Sequence, residues 1–97
     1  MYLVTTRVKI KPGTVDPVLE LFQKTNPGLV KDQEDWVKAS FSYDEEKRMV
    51  IVNATWKNKE SYLKFSSSEP FTETMKSFGQ FFLGPPEVQI SKILFKM

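Results

Sequence analysis

The chain has 97 residues, with 14 Lys and Arg against 12 Asp and Glu and a net charge of +2 at neutral pH. The charges are interleaved rather than gathered into the basic block that binds phosphate backbones, which argues against a nucleic-acid partner. Cysteine and histidine are both absent, which removes disulfides, thiolate nucleophiles, zinc sites of the usual kind and every mechanism that relays protons through imidazole.

The length suits one domain, residues 1–97, and not two. No apolar run approaches the roughly 20 residues of a membrane span, and the start lacks a signal-peptide pattern, so the expectation is a cytoplasmic protein without a membrane partner.

Tyr2 to Ile10 alternates, with Tyr2, Val4, Thr6, Val8 and Ile10 on one face and Leu3, Thr5, Arg7 and Lys9 on the other, which predicts a first strand. Lys11-Pro12-Gly13-Thr14 is a turn. Asp16 as cap and Pro17 behind it predict a helix with the stripe Val15, Val18, Leu19 and Phe22, stopping near Asn26-Pro27-Gly28. Leu29 to Glu34 reads as a polar connector in which Leu29 and Val30 tuck back onto that helix. Trp36 to Tyr43 alternates again, Val37, Ala39, Phe41 and Tyr43 against Trp36, Lys38, Ser40 and Ser42, and Asp44 to Lys47 forms a polar hairpin loop.

Met49 to Trp56, MVIVNATW, is almost wholly apolar, the pattern of a strand covered on both faces. Lys57 to Lys59 turn the chain into a short helix in which Tyr62 and Phe65, three apart, share one face. Ser68 is a suitable N-cap, with Pro70 in the first turn, for a further helix with the buried stripe Phe71, Met75 and Phe78. Gly79 ends it. Gln80 to Pro86 is a loop carrying Phe81, Phe82 and Leu83, which need cover either as a lid or, by preference, in a seam between subunits. The last strand is expected from about Glu87 to Phe95, with a bulge near Ser91-Lys92 to reconcile the two phases of its apolar residues.

Strand, helix, strand, strand, helix pair, strand is the order of a ferredoxin-like α+β sandwich, a four-stranded antiparallel sheet with helices on one face. A chain of this size buries only about 60–70% of its unfolded surface, so a sheet with two apolar faces calls for a second copy. Two sheets face to face would give a homodimer in the form of a dimeric α+β barrel. Several other chemistries fall away. Pro12-Gly13-Thr14 has no following GK[ST] and is no phosphate cradle, MVIVNATW lacks the glycines and charge of an RNA-binding strand, there is no CxxC pair for a metal, and Asp44-Glu45-Glu46 reads as a solvated turn.

The KPGT turn after the first strand, Trp56 closing the third, the KNKESYLKF helix start and the SSSEPF break into a second helix, in that order and spacing, resemble the antibiotic biosynthesis monooxygenase domains of the dimeric α+β barrel superfamily. The likeness spans nearly the whole chain. It implies a homodimer with a small-molecule pocket in each subunit between helices and sheet. In the cofactor-independent, quinone-forming branch a strand-end Trp, a Tyr six residues on and an Asn four residues before the Trp line the substrate pocket. Trp56 and Tyr62 match, but Val52 holds the Asn position and Asn53 sits one place nearer, a shift that turns a strand side chain to the opposite face. The heme-degrading branch is disfavoured, because its Asn, Trp and iron-binding His positions are Thr6, Phe65 and Met75 here.

The resemblance therefore implies a monooxygenase that needs no cofactor and no metal and acts on a small aromatic phenol or quinol, which itself supplies the electrons to oxygen once deprotonated. Trp56 and Tyr62 are the expected catalytic pair. Thr6, Asn53, Phe65, Phe71 and Met75 are the expected substrate contacts. The alternative is a non-catalytic dimeric barrel that binds a small apolar ligand or serves as a stress-associated module.

Overall fold

The computed structural model describes all residues, Met1–Met97. Strands β1 (Tyr2–Lys9), β2 (Trp36–Asp44), β3 (Met49–Trp56) and β4 (Glu87–Lys92) form one antiparallel sheet in the order β2-β3-β1-β4. Helix α1 (Val15–Val30) connects β1 to β2, and α2 (Lys59–Ser66) with α3 (Glu69–Phe78) connects β3 to β4. This is the ferredoxin-like α+β architecture. No helix is long and apolar enough to cross a membrane.

Cross-strand partners share a face of a sheet, so the register sorts the side chains. Val4 lies between Ala54 and Ile90, and Val8 beside Val50, on the face under the helices. Thr5 lies between Asn53 and Gln89, with Ser40 next to Asn53, on the face without helices. Two clusters make the core on the helix side. One joins Val8, Ile10, Val18, Val50 and Phe78, and the other joins Val4, Trp56, Tyr62 and Phe65.

Four expectations change. Helix α1 begins at Val15, after Thr14, rather than being capped by Asp16, and it runs through Pro27 to Val30 instead of stopping near Asn26. Proline inside a helix costs about 3 kcal/mol. Leu29 and Val30, just beyond it, pack partly buried against the cluster around Trp56, and the apolar area they remove from water offsets part of that penalty. The bulge lies in β2 rather than β4. Trp36 pairs with Trp56 and Lys38 with Thr55, which leaves Val37 as the extra residue.

Strand β4 stops at Lys92 instead of Phe95. The Ile93 amide still donates to the Met1 carbonyl at 3.0 Å. The Phe81–Leu83 loop is tied to β1 and α3 of its own subunit. Lys11 N–H donates to the Phe81 carbonyl and Leu83 N–H to the Lys9 carbonyl, Phe82 bridges to Ile10, and Phe78 and Phe82 stack at 6.1 Å. Only Leu83 of the three stays exposed.

Candidate functional site

The helix face of the sheet and the three helices enclose a cavity of about 260 Å³. Its floor is Val52, Ala54 and Trp56 of β3, alternate residues of one face, with Ala39 and Trp36 of β2. The β2 bulge is what brings Trp36 there. In an unbroken strand Trp36 would share the opposite face with Lys38; the extra residue Val37 restores it to the side of Ala39. Helix α1 supplies Phe22, Asn26 and Val30, spaced by four and so on one helical face. Tyr62 and Phe65 of α2 and Phe71 of α3 complete the wall.

The aromatic side chains form a connected set. Trp56 meets Tyr62 edge-on at 5.8 Å and 67°, and Phe65 at 5.1 Å; Phe65 meets Phe71 at 5.2 Å and 62°. Edge and tilted contacts of this kind hold rings in fixed orientation at about 0.5–1.5 kcal/mol per pair beyond area burial. Trp56 is 1% exposed and Tyr62 8%.

Tyr62 is the one ionisable side chain in the lining. Burial pushes its phenol above the ordinary value, with Ser66 opposing in part. Desolvation disfavours the phenolate, so Tyr62 is a protonated hydrogen-bond donor at neutral pH and not a base. Asn26 carries the only amide in the wall. Its Nδ2 donates to Thr25 Oγ1 at 3.2 Å, which leaves its carbonyl oxygen available to a ligand.

A clasp outside the cavity fixes α2 and hence Tyr62. The Asn58 carbonyl oxygen accepts from Ser61 N–H at 2.8 Å, capping α2, while its Nδ2 donates to Asp35 Oδ2 at 2.8 Å. The Ser61 hydroxyl donates to the same Asp35 oxygen. Lys57 N–H donates to the Asp35 carbonyl at 2.7 Å. The side-chain bonds from Ser61 and then Asn58, with the Lys57 charge adding to them against a smaller desolvation effect, hold the Asp35 carboxyl below its ordinary value. A lowered carboxyl contributes stability above its unfolded pKa and loses it as pH falls through the folded one. Wild-type protein is therefore expected to lose stability on acidification below about pH 4 more steeply than Asp35→Asn, read as melting temperature against pH. Asn58→Ala should cost about 1 kcal/mol in urea denaturation through the lost cap alone.

The structure brings Trp56, Tyr62, Phe65 and Phe71 together at the cavity. Met75 is on the wall of a smaller adjoining chamber instead. Asn53 is on the other face of the sheet, where its carbonyl oxygen accepts from Thr5 Oγ1 at 2.8 Å; three residues from Trp56 along a regular strand, it cannot share that face. Thr6 points to the helix side between Val52 and Val88 but does not line either chamber. Sequence reasoning missed Trp36, Phe22, Asn26 and Val30. The Phe22–Asn26–Val30 spacing was visible once the helix was allowed through Pro27, whereas nothing in the sequence marked the β2 bulge that places Trp36.

The family model for antibiotic biosynthesis monooxygenase matches residues 1–77. A comparison with curated proteins finds no match. Among solved structures, a conserved protein from Methanosarcina mazei is 16% identical with a TM-score of 0.80, covering 94% of this chain and 90% of its own. A structure described as an antibiotic biosynthesis monooxygenase is 16% identical at TM-score 0.79, covering 97% and 99%. SnoaB, a cofactor-independent oxygenase from Streptomyces nogalater, is 10% identical at TM-score 0.81, covering 99% and 95%. At these identities the structural likeness establishes the fold, and it is the family model, spanning most of the chain, that establishes descent. The chain belongs to the antibiotic biosynthesis monooxygenase family.

Proposed function

We propose that the protein is a monooxygenase that works without a cofactor on a flat phenol or quinol held beside Trp56. The observation that carries this reading is an aromatic-walled cavity in which the one titratable group, Tyr62, is kept protonated. At about 260 Å³ the cavity is near the lower end of ligand pockets, about 300–1,000 Å³, and suits one or two rings. Trp36 and Phe71, both half-buried, offer ring surface for stacking, with Trp56 packed behind them. Tyr62 donates to the substrate oxygen and favours its phenolate, the electron-rich form that reduces oxygen. The substrate proton leaves to solvent through the open side, since no carboxylate or amine lines the cavity.

For 1-naphthol as probe the overall step is naphthol plus O2 giving 1,4-naphthoquinone and water. The ring carbon opposite the hydroxyl gains a carbonyl from one oxygen atom; the other leaves as water with the hydroxyl and ring hydrogens. Four electrons pass from substrate to oxygen. Incubation under labelled oxygen gas should put one labelled atom in the quinone, with one O2 consumed per quinone formed. No oxygen uptake with any fused-ring phenol would overturn the reading and leave a ring-binding module.

The functional unit in this proposal is a homodimer, the two sheets packed on their helix-free faces. That face carries Leu3, Thr5, Ser40, Ile51 and Asn53, with Arg7, Lys38 and Glu87 toward its edges, and Thr5 donates to the carbonyl oxygen of Asn53 near its centre. Sedimentation at micromolar concentration should give twice the 11.3 kDa of one chain. A single-chain mass would remove the dimer.

A further inference from the structure

The cavity beside Trp56 does not end at its own wall. A second chamber of about 100 Å³ adjoins it, and Phe22, Asn26, Val52 and Phe71 line both. The order along β3 shows how they connect. Trp56 and Ala54 face the first chamber, Val52 faces both, and Val50 faces the second. With a rise of about 3.3 Å per residue, the slot extends about 13 Å from Ala54 to Val50.

The two ends differ in size and in polar groups. The first is walled by the rings of Trp36, Trp56, Tyr62, Phe65 and Phe71, of which Trp36 and Phe71 are half-buried and free to meet a planar group. Beyond Asn26, the far end of the second is closed by Val8, Val18, Val50 and Met75 together with the rings of Phe41, Phe78 and Phe82, and contributes no polar side chain of its own. No hydroxyl, amide or charge there could satisfy a polar substituent, and an unpaired polar group in such surroundings is costly. The amide of Asn26 stands at the junction.

We infer that the ligand is bipartite, a phenolic ring beside Trp56 carrying an aliphatic chain of about three or four carbons that enters the second chamber past Asn26. Chain length follows from volume, since 100 Å³ holds about three groups of water size at about 30 Å³ each. The inference rests on the proposed function for the ring's place beside Trp56 and deepens it by naming the substituent.

The test measures binding without oxygen, so that it does not depend on turnover. Phenol, 4-ethylphenol, 4-butylphenol and 4-octylphenol are titrated calorimetrically into the wild-type protein under nitrogen. Affinity should rise about tenfold from ethyl to butyl and then level off at octyl, where the chain outgrows the chamber. Met75→Trp, which fills that chamber from α3, should abolish the gain from ethyl to butyl; its folding is checked by thermal melting. If Met75→Trp does not fold, the levelling in the wild type still decides. Equal affinity across the series overturns the inference, and so does a rise that continues undiminished to octyl, which would be non-specific partitioning. A levelling series with no oxygen uptake on any phenol sinks the proposed oxidation and keeps the bipartite ligand. Oxygen uptake on 1-naphthol with a flat series does the reverse.

Discussion

In urea denaturation, Trp56→Ala is expected to lose about 3–5 kcal/mol of stability. Trp56 is the largest of the fully buried side chains, 1% exposed, and it joins the end of β3 to α2 through Tyr62 and Phe65. It also pairs across the sheet with Tyr2 on one side and Trp36 on the other. Truncation would merge the indole's volume with the existing cavity, and an enlarged void next to an already hollow site has little chance of collapsing. Small domains have about 5–15 kcal/mol in total, so the variant should be substantially destabilised at 37 °C. Trp56→Phe keeps a ring and should lose much less. A loss under about 1 kcal/mol for Trp56→Ala would show that the indole is not the anchor of this end of the fold.

Tyr62→Phe isolates chemistry from packing. The ring contact with Trp56 at 5.8 Å is retained and one hydroxyl is removed, which should change stability by only about 1 kcal/mol. Turnover on 1-naphthol should fall about 10²–10³-fold, the usual cost of deleting one preorganised donor to a developing oxyanion. The pH dependence separates a donor from a base. Burial holds the phenol above its ordinary value, so Tyr62 stays protonated well past pH 8, and the rise of rate with pH should follow the hydroxyl of the substrate used. A rise that keeps one apparent pKa across phenols of different acidity would reassign proton abstraction to the protein. Unchanged turnover in Tyr62→Phe would remove the residue from the mechanism.

Much of the fold was legible because each element carried its own periodicity. The strand pattern of Tyr2 to Ile10, the turn at Lys57 to Lys59, the Ser68 start of the last helix and the apolar third strand could be read locally, since they depend on neighbours two to four residues away. Asn53 was expected as a substrate contact, although its spacing argued against that. Its odd spacing from Trp56 decides its face in any regular strand.

The sequence by itself determined the order of the elements, the family and four of the aromatic walls, Trp56, Tyr62, Phe65 and Phe71. Only the tertiary structure decided the rest of the cavity. Helix α1 passes Pro27 because Leu29 and Val30 find a cluster to bury against, and that cluster is built by residues far along the chain. Trp36 faces the cavity because β2 gains one residue against β3, a count that exists only between two strands. Periodicity reports which side of its own element a residue is on; it holds no information about the neighbour that sets where that element ends or slips, and here those neighbours brought Trp36 and Asn26 into the site.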